Sequence, residues 1–495
     1  MGGERSPPYL LQTSATKTAT SRSMAFPETY RPETLHETLG AEFYDAVAAA
    51  RFPSHQLRFR NRRHDARVGL AQLDDDAWIA HFGRFAPLPG SLGQPLALRY
   101  HGHQFRVYNP DLGDGRGFLF AQLRDAQDGR LLDLGTKGSG QTPWSRRGDG
   151  RLTLKGGVRE ILATEMLEAL GVDTSKSFSL IETGEALVRG DEPSPTRASV
   201  LVRLSHSHIR IGTFQRLAYH DDRAAIERLL EHVCRHYYPA LADLPPSKRA
   251  PGFLQAVASR VARLGAGYMA AGFVHGVLNS DNINVTGESF DYGPWRFAPV
   301  YDPGFTAAYF DETGLYAFGR QPEALAWNLA RLAECLLHLI DAADAERVIG
   351  EFPLLIRQAF REQLLWRLAL APAGSEADAR LATAFVNFLL KSRAPFEQTL
   401  FDWRGGLASV DRAMGGPASA FYAHPEFAPL RAALAEHAPT SAARLDHPYF
   451  RRPTPCAMLI DEVESIWAPI AEKDDWSRFA DKLADIAVMR DAHGL

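Results

Sequence analysis

The sequence predicts an α+β protein of two lobes, and two observations carry that expectation. The chain changes character near residue 215, from short apolar runs broken by Gly and Asp to long stretches with helical spacing. Within the second half, His275-Gly276-Val277-Leu278-Asn279-Ser280-Asp281-Asn282 is followed by Asp291-Tyr292-Gly293. These segments nearly fit a protein-kinase catalytic loop, H-R-D-x-x-x-x-N, and the metal-binding D-F-G that follows it. The expected fold is therefore bilobal and protein-kinase-like, with a mixed N-terminal lobe, a mainly helical C-terminal lobe and a C-terminal extension. The expected division is a disordered or processed segment at 1–29, an N-terminal lobe with nucleotide-binding motifs at 30–215, and at 216–495 a helical lobe with the metal loop and the extension.

Taken in order, residues 35–50 read as a helix, with Phe43, Ala46 and Val47 at helical spacing. A Pro/Gly-rich connection follows at Pro87–Pro95. Phe105–Tyr108, Phe118–Leu123 and Leu131–Leu134 read as strands joined by turns. Val158, Ile161, Leu162, Met166 and Leu170 form the apolar stripe of a helix starting near Gly157. Ser177–Ile181 and Ala198–Leu204 read as further strands. Helical spacing then dominates at Arg223–Tyr238, Gly252–Ala271, Ala324–Ile340, Leu354–Leu368 and Asp378–Leu390. Short strands at Asn284–Val285 and Phe297–Pro299 close the loop that carries the kinase-like motif.

Composition narrows the class. Hydrophobic residues at 45% and charged residues at 23% are ordinary for a globular protein, and a net charge of −4 gives no global reason to expect a nucleic-acid partner. Three cysteines lie far apart with no CxxC pair, which favours a reducing compartment over a disulfide framework. No apolar run reaches the roughly 18 residues of a membrane span, so no membrane partner is expected. The first 23 residues are rich in Ser and Thr, with three cations against one acid. They read as a weak transit peptide, a disordered tail or an early start before Met24, and Met1–Ser6 also fits the short myristoylation pattern. The expected location is the cytoplasm of a bacterium, or the mitochondrion if the source is eukaryotic.

The chemistry-bearing residues come in a telling order. Gly113-Asp114-Gly115-Arg116-Gly117 is a turn between strand-like runs, where missing side chains let a backbone approach phosphates. Such a turn is also the signature of a plain hairpin. Lys137 follows at the end of a strand, and Glu160 lies 23 positions on in the predicted helix. A kinase-like lobe needs a strand Lys on the phosphates and a helix Glu to hold it. Asn282 and Asp291 supply oxygen ligands of the kind hard Mg²⁺ prefers, with Mn²⁺ as an alternative ion. Val277 stands where a kinase keeps its catalytic Asp, and Asp281 is the best nearby carboxylate for a base. Arg203 and Arg210 suit phosphate recognition through paired guanidinium hydrogen bonds, or are surface residues. His206 and His208 alternate on a strand without a third ligand spaced to join them, and His275 reads as a structural hydrogen bonder.

These segments, with Gly102-His103-Gln104-Phe105, Thr142-Pro143-Trp144-Ser145-Arg146, Arg159-Glu160 and Gln321-Pro322, resemble the selenoprotein O family from about residue 30 to 345. The resemblance implies a kinase-like fold that binds ATP flipped end for end. It implies transfer of AMP to Ser, Thr or Tyr hydroxyls of proteins, with UMP transfer known among bacterial relatives. It also implies nucleotide contacts at Gly113, Gly115, Arg116, Lys137, Asp149, Gly150, Arg203, Arg210 and Asp291. Asp281 would be the proton acceptor, Asn282 and Asp291 the Mg²⁺ ligands, and Glu160 the residue that orients Lys137. The sequence departs from the family pattern at Arg106–Pro110, where Gly-x-Trp-Ala-Gly is expected, and at Ser280, where Thr is usual. It also lacks a cysteine near the C-terminus.

The leading expectation is a metal-dependent protein adenylyltransferase that releases pyrophosphate. An atypical kinase transferring the γ-phosphate is the alternative within enzymes, disfavoured by Val277. A catalytically inactive nucleotide-binding scaffold is the third reading, disfavoured by the complete set of Lys137, Asn282 and Asp291. The sequence does not fix the oligomeric state.

Overall fold

The computed structural model describes residues 26–190 and 192–495. The expectations for the first 23 residues, a transit peptide or a myristoylated glycine, lie outside the described residues.

The N-terminal half is built on one antiparallel sheet. Its main strands are β1 (Tyr44–Ala46), β2 (Gln56–Arg60), β3 (Leu96–Leu98), β6 (Leu119–Arg124), β7 (Leu131–Lys137), β8 (Lys176–Leu187) and β9 (Thr196–Ser205), with the two-residue strands Pro32–Glu33 and Leu152–Thr153 added on β6 and β9; β4 (Gly102–Gln104) and β5 (Val107–Asn109) form a separate hairpin. The sheet order is β1-β3-β6-β7-β9-β8-β2. Strands β7 and β9 are buried along nearly their whole length, and they are rich in Leu and Val, as central strands covered on both faces must be. Their register decides the site. Lys137 pairs with Leu201 and Gly135 with Arg203, so Lys137 and Arg203 emerge on one face of the sheet.

Helix α1 (Leu154–Ala169) packs across that face. Thr153 caps it, its hydroxyl accepting from Gly156 N at 3.1 Å. Its apolar stripe, Val158, Ile161, Leu162 and Met166, lies in one core with Leu180 and Leu201 of the sheet. Glu160 sits between those stripe positions and is delivered to the sheet side.

The rest of the chain is helical, chiefly α2 (Ile211–Tyr219), α3 (Arg223–Tyr237), α4 (Pro246–Ala271), α5 (Gln321–Cys335), α6 (Ala342–Leu368) and α7 (Ser375–Ser392). A two-stranded ribbon, Phe273–Val274 with Arg296–Phe297, brackets the motif loop. The last helices, α8 (Ile460–Lys473) and α9 (Ser477–Ala492), return to the sheet half. Val463, Ile466, Ile486 and Met489 join the same core as α1. Arg490 meets Glu165 at 2.5 Å, and His493 Nδ1 donates to Ala169 O at 2.9 Å. Among the described residues no helix is long and apolar enough to cross a membrane. All three cysteines are buried free thiols, and burial pushes them up to about 11 for Cys234 and about 12 for Cys335 and Cys456.

Four local expectations are corrected. Residues 35–50 are not a helix: a short 3-10 turn at Leu35–Leu39 stops at Gly40, whose φ is 110°, and Tyr44–Ala46 pairs with Leu96–Leu98. Sheet pairing overrides the helical spacing there. Phe105–Tyr108 is broken by a two-residue turn at Phe105 and Arg106. Asn284–Val285 is no strand but a single bridge from Asn284 to Arg210. The helix expected from Leu354 begins at Ala342 and runs through Pro353.

Candidate active site

The sheet and α1 bring three buried charged side chains together, and the loop carrying Asp291 adds a fourth that is partly exposed. Lys137 Nζ lies 2.8 Å from Glu160 Oε2 and 2.9 Å from Asp291 Oδ1. Arg203 Nε lies 2.6 Å from Glu160 Oε1, and its Nη2 donates to Asp291 Oδ1 at 2.9 Å. The Glu160 side chain is only 1% exposed, so its charge is tolerable only because two cations flank it. Burial alone would raise the Asp291 carboxyl, but Lys137, Arg203, Arg116 and Arg210 hold it well below the usual carboxylate range. The same balance keeps Arg203 a permanent cation: burial opposes its charge, and Glu160 and Asp291 more than offset that. Asp291 has a φ of 62°, the left-handed region that Asp tolerates better than most residues and that recurs at functional sites.

The motif loop is braced from several sides. His275 is buried, with Nε2 donating to Phe290 O at 3.0 Å and Nδ1 accepting from Val277 N at 3.4 Å. Burial lowers its pKa, so it is a neutral brace between the two halves of the motif, as its sequence position suggested. Gln321 accepts from His275 N and donates to Phe273 O, and Asn328 donates to Leu278 O. Asn282 donates its amide to Val277 O at 3.0 Å, and its Oδ1 accepts no hydrogen bond among the described residues. Asp291 Oδ2 likewise accepts none, since both cations meet Oδ1. One amide oxygen and one carboxylate oxygen therefore remain on residues that line the same cleft. That donor set fits a hard divalent cation that completes its shell with phosphate and water. Among the described residues no group of three His, Cys, Asp or Glu could hold a metal by itself.

Asp281 differs from the other acids. It is 7% exposed and its buried Oδ1 has no hydrogen-bond partner among the described residues. Burial pushes its pKa up to about 7, with Asp291 adding to the rise and Arg210 and Arg146 opposing it. Arg210 reaches Asp281 through its main chain, Nη1 donating to the carbonyl at 3.1 Å. The same guanidinium lies 4.0 Å from the Tyr100 ring centre and 3.5 Å from Asp114. Gly102 and Gly212 flank Asp281; a Cβ on Gly102 would sit 2.9 Å from the Asp281 side chain.

These groups line a polar cleft of about 670 Å³, with eight cationic side chains against four carboxylates. All the nucleotide, metal and base candidates from the sequence line it except Glu160, which is paired with Lys137; His206 and His275 do not line it. The glycine turn forms one rim, but its glycines answer to packing as well as to ligand approach. A Cβ on Gly113 would lie 2.3 Å from the Trp144 ring, and one on Gly115 2.8 Å from Trp144 O. Trp144 is itself tied to Asp45 at 2.9 Å. Gly150 has a φ of 71° and packs on the Gly140 backbone. Asp149 sits at the exposed end, paired with Arg189 at 2.8 Å. Arg116 is exposed and shares the cleft wall with Arg146 and Arg147. Sequence reasoning missed Asp114, Arg146, Arg147 and Arg189 as cleft residues. Arg146 and Arg147 were visible as a basic pair after Trp144, but nothing local showed that this segment folds over the glycine turn. His206 is accounted for by the interior, its Nδ1 donating to Leu131 O at 2.9 Å, whereas His208 lines the cleft with its ring Nδ1 3.2 Å from Ser205 Oγ.

Comparison with known proteins adds a family. The profile described as protein adenylyltransferase SelO matches residues 28–487. The chain is 44% identical over 474 residues to the protein nucleotidyltransferase YdiU of Synechocystis sp., covering 92% of this chain and 96% of that protein. It is 45% identical over 454 residues to the protein of the same description from Gloeobacter violaceus, covering 90% and 92%. With the Trichormus variabilis protein of that description the identity is 42% over 468 residues, covering 91% and 94%. The likeness extends well past residue 345, where the sequence motifs end.

Proposed function

This chain belongs to the SelO family of protein adenylyltransferases, and on that premise we propose that its cleft transfers AMP from ATP to Ser, Thr or Tyr hydroxyls of proteins. UMP transfer from UTP is the variant that the broader description of its relatives leaves room for. The sheet with α1 and the helical half fit the two lobes of a kinase-like fold, meeting near residue 215 with the cleft between them. The single observation that carries the reading is Asp281. It is buried in a cation-rich cleft, lacks a hydrogen-bond partner on Oδ1 and is held near neutrality, whereas a kinase's base position is occupied by Val277.

The residues divide the chemistry as follows. A substrate hydroxyl approaches Asp281, whose carboxylate accepts the proton; a base with a pKa near 7 is well matched to that work. The hydroxyl oxygen bonds to the α-phosphorus, and the bond from that phosphorus to the bridging oxygen breaks. Pyrophosphate leaves with the negative charge. Lys137, Arg203, Arg210 and Arg116 stabilise the charge growing on that leaving group, and the first three, being held in place by their partners, need little reorganisation. Glu160 orients Lys137. Asn282 and Asp291 would hold Mg²⁺ or Mn²⁺, which would neutralise phosphate charge and align the triphosphate. The bacterial origin of the relatives favours a cytoplasmic location in this reading.

The test is isotopic. Label in the α-phosphate of ATP is expected to enter protein, with pyrophosphate released, and intact mass should rise by one AMP. Entry of γ-label with release of ADP would make the protein an atypical kinase instead.

A further inference from the structure

The hairpin β4–β5 lies directly against the loop that carries Asp281. His103 N donates to Ser280 Oγ at 2.7 Å, and Phe105 N donates to Asn279 Oδ1 at 3.0 Å. Gly102 packs on Asp281 so closely that it cannot bear a side chain. The hairpin is thus fixed, residue by residue, to the segment that would receive the acceptor's proton. Its tip is unusual. Phe105 and Arg106 both have positive φ, 49° and 65°, in a two-residue turn that ordinarily takes Asn-Gly or another glycine pair. Strained non-glycine residues at a turn persist where the surroundings hold them, and they gather at ligand-contacting sites. Here Arg106 is held by Glu323 at 2.7 Å and lies over the Trp327 ring. Phe105 is held by Tyr316, 5.1 Å between ring centres, and Tyr316 OH donates to the same Asn279 Oδ1 at 2.6 Å.

Around this tip large apolar side chains face solvent. Phe310 packs edge-on to Phe105 at 5.9 Å yet is 46% exposed, Tyr309 is 85% exposed and Val107 is 69% exposed. Three large apolar residues grouped beside a polar, cation-lined cleft are a different surface from singly scattered ones. The tip is joined to the cleft by Gln104, which precedes Phe105, and by Asn279, which accepts from Phe105 N and Tyr316 OH; both residues line the cleft.

We propose that Val107, Tyr309 and Phe310, gathered around the Phe105-Arg106 turn, are the docking platform for the acceptor polypeptide and select a hydroxyl flanked by apolar side chains. The inference rests on the reading that the cleft modifies protein hydroxyls, because that reading requires an extended segment to reach Asp281 past this surface. The cleft interior is cationic and suits the triphosphate, so the rim is where the acceptor is told apart. Aromatic side chains are apt for this, offering large contact area with little conformational entropy to lose.

The experiment uses the full-length protein, ATP labelled in the α-phosphate, and two synthetic peptides. Both have one serine in a Gly/Lys background; in one the serine is flanked by Leu and Phe, in the other by two Asp. Wild type is expected to favour the apolar-flanked peptide in kcat/KM by about tenfold or more, the scale of one well-filled apolar pocket. Tyr309→Ser combined with Phe310→Ser should bring the ratio near one by raising KM for the apolar-flanked peptide, with ATP affinity unchanged. These side chains are exposed, and a melting curve matching wild type confirms the fold. Equal use of the two peptides, preference for the acidic one, or a preference that survives the double substitution would each overturn the platform. So would self-labelling by wild type with transfer to neither peptide. Failure of wild type to transfer α-label to any acceptor, itself included, strikes the adenylyltransferase reading instead.

Discussion

Helix α1 carries two ion clusters, and the contrast between them separates a reactive site from a structural one. At Glu160 the helix faces the sheet, and the cluster of Lys137, Arg203 and Asp291 opens on one side into the cleft. One and two turns further on, Glu165 and Glu168 meet Arg63, His64, Lys176 and Arg490. The second cluster is the more heavily cross-linked. Arg63 reaches both glutamates, and Arg490 comes from the far end of the chain to close it. Glu168 sits far below the usual carboxylate range: burial would raise it, but Lys176, His64 and Arg63 prevail. Buried charge by itself therefore does not mark function. The inner cluster is distinguished by its neighbours: surplus cations, unused oxygens on Asn282 and Asp291, and Asp281 beside it with an orphaned oxygen.

If that distinction is right, the largest effects on transfer come from the inner cluster. Asp291→Ala removes a proposed metal ligand and the counter-charge of two buried cations. Transfer of α-label should fall by about a thousandfold or more, as loss of an electrostatic stabiliser does. Far-ultraviolet circular dichroism should show the fold retained, because the Glu160 pairing with Lys137 and Arg203 remains. Turnover near wild type would sink the metal assignment.

Asp281→Asn comes next. Amide for carboxylate keeps the shape and removes the base, so kcat should drop by about a hundredfold to ten-thousandfold, the range for lost general base catalysis. ATP affinity, measured by calorimetry with metal present, should hold. A weakened ATP affinity with unchanged kcat would show that Asp281 serves binding and not proton transfer.

Glu160→Gln should cost less, about a hundredfold in kcat, since it misplaces Lys137 without removing a group that touches substrate. Lys137→Ala should be more severe than Glu160→Gln. Equal losses in the two variants would mean that Lys137 acts only through its partner.

The sequence made the inner cluster legible because its members sit on regular elements. Lys137 ends a strand, Glu160 lies on an amphipathic helix with a clean stripe, and Asn282 and Asp291 stand at motif spacing. The outer cluster was not legible, because Arg490 and Glu165 are 325 residues apart and neither sits in a recognisable pattern. Residues 35–50 misled for a related reason: helical spacing over one short stretch is weaker than the pairing of Tyr44–Ala46 with a strand some fifty residues on. The glycine turn was found by its composition, but the packing that requires its glycines, the Trp144 ring on Gly113 and the Trp144 main chain on Gly115, needed the fold. Arg146 and Arg147 share that limitation: a cation pair in a loop reads as a solvated surface until the loop is seen to close over a cleft.

The smallest expected effect on transfer is the sharpest test of the contrast. Arg490→Gln breaks the outer cluster where α9 meets α1, leaving Glu165 with Asn61 and Arg63 as partners. Breaking a well-buried pair costs about 3 kcal/mol, and both of these side chains are about a tenth exposed. Chemical denaturation should therefore show a clear loss of stability. At a temperature well below the transition, transfer should stay within about twofold of wild type, because Glu160 is held independently by two cations across the sheet. A fall in kcat with the fold intact would mean that α9 sets the position of α1, and hence of Glu160. The two clusters would then be ends of one lever, and the division into reactive and structural halves of the helix would fail.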